Sequence, residues 1–264
     1  MKPVHHQEGE CPTVKSNQDL TQAFAAPVET GRESWGDFEV LFRPDRPVED
    51  LLAALLPNPD RIIAGGEIFK QGSRNHSVRV ELAGRHYFLK RYNCRGWGYR
   101  LGNLFRQSRA VRTWRVHLEF LRRGIPIQEP LLCLEERNFR LLGRSYLLTG
   151  FVEGASSLME LWPTLSVDAK SSLLQCLGEE LGRMHRTGAL HGDLKWYNIL
   201  IRKMESGWQP ILVDLDGSSI SRGVSERKVR DDIGRFIRDL EQFETDSRLR
   251  SLFAETWRER AGLK

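Results

Sequence analysis

The stretch 190–200 reads Leu-His-Gly-Asp-Leu-Lys-Trp-Tyr-Asn-Ile-Leu, and its polar residues are spaced for chemistry. Asp193 offers a carboxylate that can take a proton from a hydroxyl group. Asn198, separated from it by four residues, offers an amide oxygen suited to a hard cation. Lys195 places a positive charge between them. A second acidic group follows at 211–217, Ile-Leu-Val-Asp-Leu-Asp-Gly, with Asp214 and Asp216. The apolar runs 199–201 and 211–213 flank Glu205-Ser206-Gly207, so the pattern predicts a β-hairpin that returns Asp214 beside Asn198. Carboxylate and amide oxygens are the ligands Mg²⁺ prefers, which makes Asn198, Asp214 and Asp216 a candidate metal set. His191 reads as a residue that packs and hydrogen-bonds to hold the loop, not as a proton carrier.

The elements that must carry these residues follow from periodicity and turn chemistry. Residues 1–34, rich in Glu, Gln, Thr, Ser and Pro, read as a disordered tail, with order beginning near Trp35. A short helix is expected at 48–56, stopped by Pro57 and Pro59, and then strands at 62–68, 78–82 and 87–91, the last two joined at Ala83-Gly84-Arg85. Val111, Trp114, Leu118 and Leu121 form one apolar stripe and predict a helix over 108–123, ended by Gly124 and Pro126. Strands are expected at 131–134 and 145–151, and the break at Glu153-Gly154 divides the chain into units 35–152 and 153–264. Ser166 is an N-cap for a helix to about 185 with Leu173, Leu174, Leu177, Leu181 and Met184 inward. Two helices, at 226–243 and 246–260, complete the second unit.

The polar clusters on these elements resemble the catalytic and metal-binding loops of the protein-kinase-like fold. That resemblance implies an α+β, two-lobed architecture: a small β-rich N-lobe over 35–152 and a reduced helical C-lobe over 153–264. It implies ATP and Mg²⁺ as cofactors, with Asp193 as catalytic base and Lys195 neutralising charge on the transferred phosphoryl group. Asn198 and Asp214 would hold Mg²⁺, and Asp216 would serve a second ion or cap the turn before Gly217. Upstream, Tyr87-Phe88-Leu89-Lys90 is a strand ending in the lysine expected to grip the α- and β-phosphates. Residues 71–77 occupy the phosphate-loop position, but they hold one glycine instead of three. There Gly72, Ser73 and Asn75 are small or polar enough to bring backbone N–H groups near phosphate.

Further details resemble the lipopolysaccharide kinase (Kdo/WaaP-type) family. They are Phe88-Leu89-Lys90-Arg91-Tyr92-Asn93, Ser108-Arg109-Ala110 with Trp114, Gly124-Ile125-Pro126, and His191-Gly192-Asp193-Leu194-Lys195-Trp196-Tyr197-Asn198. The likeness spans about 62–243 and implies phosphorylation of a heptose or Kdo sugar of the lipopolysaccharide inner core. In one place the chain departs from the pattern. The helix glutamate that pairs with the strand lysine in related kinases would fall where this chain has Thr113. Glu119, the helix's one acid, lies among Arg115, Arg122 and Arg123 at helical spacing and reads as a surface ion pair. Two alternatives stay open: a RIO-like atypical protein kinase, and a non-catalytic kinase-fold module that binds anionic glycolipid or a partner protein. Against peptide docking, the chain after Gly217 is short and contains no Ala-Pro-Glu.

Composition narrows the setting. The chain has 264 residues, 40 Lys and Arg against 35 Asp and Glu, and 40% hydrophobic residues, enough for a buried core. No apolar run approaches the roughly 20 residues of a membrane span. The first ten residues lack the basic start and apolar segment of a secretory signal. Cys11, Cys94, Cys133 and Cys176 are far apart, which fits reduced thiols in the cytoplasm. Ten Lys and Arg but one acid lie between Lys90 and Arg123, interleaved with Tyr92, Trp97, Tyr99, Phe105 and Trp114. This suits an anionic acceptor such as lipopolysaccharide core and peripheral contact with the cytoplasmic face of the inner membrane, and it equally suits a solvated basic face. Nucleic acid is not expected as a partner, and no pattern specifies an oligomeric state.

Overall fold

The computed structural model describes residues 27–73, 75–93, 107–138, 141–221 and 225–263, which form two compact units. One comprises Ala26–Arg122 with Ile127–Glu153, and the other Gly154–Lys264 with Arg123–Pro126.

The N-terminal unit is built on seven antiparallel strands: β1 (Gly31–Trp35), β2 (Phe38–Phe42), β3 (Glu67–Gln71), β4 (Asn75–Leu82), β5 (Arg85–Tyr92), β6 (Pro130–Asn138) and β7 (Leu141–Gly150). Their order in the sheet is β1-β2-β6-β7-β5-β4-β3. Alternation along the strands divides the apolar residues between two faces. Tyr87 and Leu89 join Val78, Val80, Leu132, Leu134 and Leu148 in one core, closed by helices α1 (Glu49–Leu55) and α2 (Pro59–Gly65). Tyr92, Cys133 and Leu147 lie on the other face under Ala110, Val111 and Trp114 of helix α3 (Arg109–Arg122).

Two expectations for this unit are corrected. Strand β1 lies inside the presumed tail: Gly36 (φ 57°) turns the chain into β2, and Glu39 accepts hydrogen bonds from Arg32 Nε (3.0 Å) and Ser34 Oγ (2.8 Å). The strand expected at 62–68 begins as α2, because Asn58 caps the backbone N–H of Arg61 at 2.9 Å and Pro59 occupies the first turn, where a missing N–H costs nothing. Pro59 thus starts a helix instead of only stopping one. Residues 1–26 of the expected tail, and Arg95, Arg100 and Arg106 of the basic stretch, lie outside the described residues.

The C-terminal unit contains a three-stranded sheet of β8 (Ala155–Ser157), β10 (Ile199–Met204) and β11 (Gly207–Leu212), and a second pairing of β9 (Ala189–Leu190) with β12 (Ser219–Ile220). Its helices are α4 (Leu158–Leu161), α5 (Val167–Arg186), α6 (Glu226–Phe243) and α7 (Ser247–Ala261). Ser166 caps α5 through the N–H of Ala169 at 3.3 Å, and Leu173, Leu174, Leu177, Leu181 and Met184 are buried as the stripe requires. Gly178 and Gly182 of α5 face α7 so closely that a Cβ on Gly182 would sit 2.8 Å from the carbonyl oxygen of Trp257. With a sheet-rich N-terminal region and a helical C-terminal region, the architecture is the α+β class expected.

Candidate active site

The hairpin of β10 and β11 pairs Ile199 with Leu212 and Leu200 with Ile211, and the N–H of Val213 donates to the carbonyl of Asn198 at 3.0 Å. Asn198 and Asp214 therefore emerge on adjoining chain segments. Asn198 Nδ2 donates to the backbone carbonyl of Asp193 at 2.9 Å and to its carboxylate at 3.3 Å. The amide oxygen of Asn198 is thereby turned away from Asp193. Lys195 Nζ lies 3.3 Å from the same carboxylate, and a guanidinium from Arg235 of α6 completes its surroundings. Burial raises the pKa of Asp193, but the hydrogen bonds and charges of Lys195 and Arg235 outweigh it and hold the carboxyl below the usual carboxylate value. The site thus brings Asp193, Lys195 and Asn198 together, with Asp193 ionised.

His191 is fully buried and holds the loop from within. Its Nε2 lies 3.0 Å from the carbonyl of Val213, and its Nδ1 accepts from the N–H of Asp193 at 3.3 Å. Burial lowers its pKa, so the ring is neutral, as a loop-holding role requires. Gly192 has φ 82°, and a Cβ there would meet the carbonyl oxygen of Gly217 at 2.3 Å. Ser218 Oγ donates to the carbonyl of His191 at 2.7 Å. The loops carrying Asp193 and Asp214 are consequently fixed to each other by backbone contact.

Helix α6, expected from the sequence at 226–243 but assigned no site residue there, supplies three side chains that hold the site. Asp232, Arg235 and Asp239 lie at helical spacing on one face, and each grips the loop that carries Asp193. Asp232 accepts from the N–H groups of His191 (2.8 Å) and Gly192 (2.7 Å), Arg235 binds the Asp193 carboxylate, and Asp239 accepts from the N–H of Trp196 at 2.9 Å. Behind Asp232, Trp257 Nε1 donates to His185 Nδ1 at 2.9 Å, so His185 Nε2 carries the proton directed at Asp232, 3.2 Å away. The available signal was the i, i+3, i+7 spacing of the three charges on an amphipathic helix. Trp196, fully buried against Trp162, Phe236 and Phe243, anchors the loop's other end.

Asp214 takes a left-handed conformation (φ 60°, ψ 57°), which costs a non-glycine residue on the order of 1–3 kcal/mol and persists where the surroundings impose it. Asp216 lies in the following turn of Leu215–Gly217.

In the N-terminal unit, Lys90 is buried on the α3 face of the sheet, paired with Ser77 and Leu147, its Nζ 5.5 Å from the Tyr92 ring centroid. Gly72 and Ser73 lie in the turn from β3 to β4 and Asn75 opens β4, the N–H of Gly72 donating to the carbonyl of Asn75 at 3.0 Å. Thr113 is buried, and Glu119 pairs with Arg122 at 3.1 Å, as read from their spacing. Phe88, on the Lys90 face, meets Phe69 edge-on at a centroid distance of 5.8 Å, and Phe151 lies 6.3 Å from Phe69. Alternation from Lys90 was the signal that could have found this aromatic group.

Residues 65–256 match the family described as "Lipopolysaccharide kinase (Kdo/WaaP) family". Similar curated proteins are named 3-deoxy-D-manno-octulosonic acid kinase. One, from Xylella fastidiosa (strain 9a5c), is 28% identical over 134 residues, 51% of each chain. Another, from Xanthomonas axonopodis pv. citri (strain 306), is 29% identical over 157 residues, 58% of this chain and 57% of its own. The chain spans about half the length of the curated relatives it matches. Among solved structures, WaaP in complex with acyl carrier protein is similar with TM-score 0.61 at 16% identity, over 80% of this chain and 87% of that one. The likeness shows a shared fold.

Proposed function

Because the chain belongs to the lipopolysaccharide kinase (Kdo/WaaP) family, we propose that it is an ATP-dependent phosphotransferase acting on a hydroxyl of an inner-core sugar, a heptose or Kdo. The observation that carries this reading is the Asp193 carboxylate, ionised and held by Asn198, Lys195 and Arg235. Asp193 takes the proton of the acceptor hydroxyl as its oxygen bonds to phosphorus and the bond to the departing diphosphate breaks. Lys195 offsets charge on the phosphoryl group in transit.

Asn198 Oδ1, Asp214 and Asp216 would hold Mg²⁺. Among the described residues no three His, Cys, Asp or Glu side chains converge into a metal cage. Two carboxylates and one amide oxygen nonetheless suit Mg²⁺, which keeps waters and substrate phosphates in its shell. Lys90 and the turn of Gly72, Ser73 and Asn75 would take the nucleotide phosphates, with the base against Phe88, Phe69 and Phe151. When bound, Mg·ATP supplies the transferable γ-phosphoryl group with its charge partly neutralised.

Among the described residues no helix is long and apolar enough to cross a membrane. We place the reaction in the cytoplasm at the inner-membrane face, where the basic stretch 90–123 would meet the anionic core. The test is transfer of labelled γ-phosphate from ATP to purified core lipopolysaccharide, with mass spectrometry of core oligosaccharide from cells with and without the protein. Loss of one phosphate from one sugar in the cells lacking it supports the reading. Label incorporated into protein without glycan would overturn it in favour of a protein kinase, and absence of nucleotide binding would leave a non-catalytic module.

A further inference from the structure

Arg91 follows Lys90 on β5 and Asn93 lies just past the strand's end, and the phosphoryl transfer makes no use of either. Both belong to one chain of hydrogen bonds. Asp60, in the first turn of α2, accepts from Arg91 Nη1 at 3.0 Å and from the Tyr146 hydroxyl at 2.9 Å, and a guanidinium N–H of Arg144 reaches its other oxygen. Arg91 Nε donates to Asn93 Oδ1 at 3.0 Å. Since Arg91 is a donor only, the oxygen of the Asn93 amide must face it, and the NH₂ group faces the opposite way. There Nδ2 reaches the carbonyls of Gly72 at 3.4 Å and Ser73 at 3.3 Å, two long bonds shared from one nitrogen.

What those two carbonyls do determines which way the turn's N–H groups point. The Gly72–Ser73 peptide is trans, so the N–H of Ser73 points away from the carbonyl that Asn93 holds. The N–H of Gly72 is already taken by Asn75. A loop with three glycines approaches phosphate through backbone freedom, whereas this turn has one and needs its shape imposed. We infer that Asn93 is a positioning residue that pins the phosphate turn by its carbonyls and so presents the turn's amide side to the nucleotide phosphates, with Arg91 and Asp60 fixing the direction of the Asn93 amide. This rests on the reading that the turn and Lys90 bind those phosphates.

The experiment measures ATP and adenosine affinity, and thermal stability without ligand, for the full chain and for Asn93→Leu, Asn93→Asp and Lys90→Ala. Leu keeps approximate size without donors or charge, and Asp keeps the shape and the acceptor for Arg91 but loses the NH₂ group. Both should weaken ATP about three- to tenfold, the range of one lost neutral hydrogen bond. Adenosine affinity should stay within about twofold of wild type, because the turn contacts phosphate and not the base. Equal weakening of adenosine and ATP would reduce Asn93 to a purely structural residue and overturn the inference. So would unchanged ATP affinity in both Asn93 variants while Lys90→Ala loses it. If Lys90→Ala itself binds ATP normally, the nucleotide reading of the site fails, and the pinning role fails with it.

Discussion

The Asp193 carboxyl is kept ionised by two neighbours, Lys195 and Arg235, and its role can be separated from theirs by substitution. Asp193→Asn keeps size and polarity and removes the proton acceptor, so turnover should fall by at least ~10²-fold while nucleotide affinity and thermal midpoint stay near wild type. Single-turnover kinetics beside equilibrium nucleotide binding check this, and near-normal turnover would remove Asp193 from the mechanism. Asp214 and Asp216 differ in the same testable way. Asp214 adjoins Val213, whose N–H is bonded to the carbonyl of Asn198, whereas Asp216 lies one turn further on. Asp214→Ala should therefore raise the Mg²⁺ concentration needed for half-maximal activity more than Asp216→Ala does, and the reverse order in a Mg²⁺ titration would exchange their roles.

Helix α6 belongs to the next scale, because it acts through one face and not through any single residue. Asp232 serves two backbone N–H groups and His185 in a buried site. Burial raises the Asp232 pKa, but His185 and the two N–H groups outweigh it, leaving the folded-state value below the ordinary 3.8. A carboxyl depressed in the folded state stabilises fully above its unfolded pKa, and that contribution is lost as pH falls through the lower folded value. Asp232→Asn should consequently lower stability at neutral pH and flatten the acid decline below about pH 4, as seen by urea unfolding from neutral to acid pH. Equal slopes for the two proteins would exclude Asp232 from that decline. The hairpin 199–212, the cap at Ser166 and both C-terminal helices were legible because each is written in local spacing. The grip of α6 on the Asp193 loop was not, since it joins residues about forty positions apart and its charges, read locally, satisfy an ordinary exposed helix. At α2, a proline counted as a breaker was a starter, a distinction that depends on whether the residue before it caps the turn.

Over the whole molecule the outstanding quantity is charge, and the basic stretch 90–123 is where it concentrates. Its described part has mixed uses: Arg91 binds Asp60, Arg109 lies over the Tyr92 ring at 5.5 Å, and Arg122 pairs with Glu119, while Arg112 and Arg115 face solvent. Several of its charges are thus committed within the N-terminal unit, which lowers the excess available to an outside anion. Arg95, Arg100 and Arg106, with no acid between them in sequence, carry part of the remainder beside Arg112 and Arg115. If that remainder meets a phosphorylated glycan, the acceptor KM should rise with salt, because ions screen exposed charges over a Debye length of about 8 to 10 Å. Replacing all three arginines by alanine should raise the acceptor KM at low salt and flatten its salt dependence, leaving the KM for ATP unchanged. A triple variant with wild-type acceptor KM and the same salt dependence would make the stretch a solvated face, and recognition of the acceptor would then fall to the residues around Asp193.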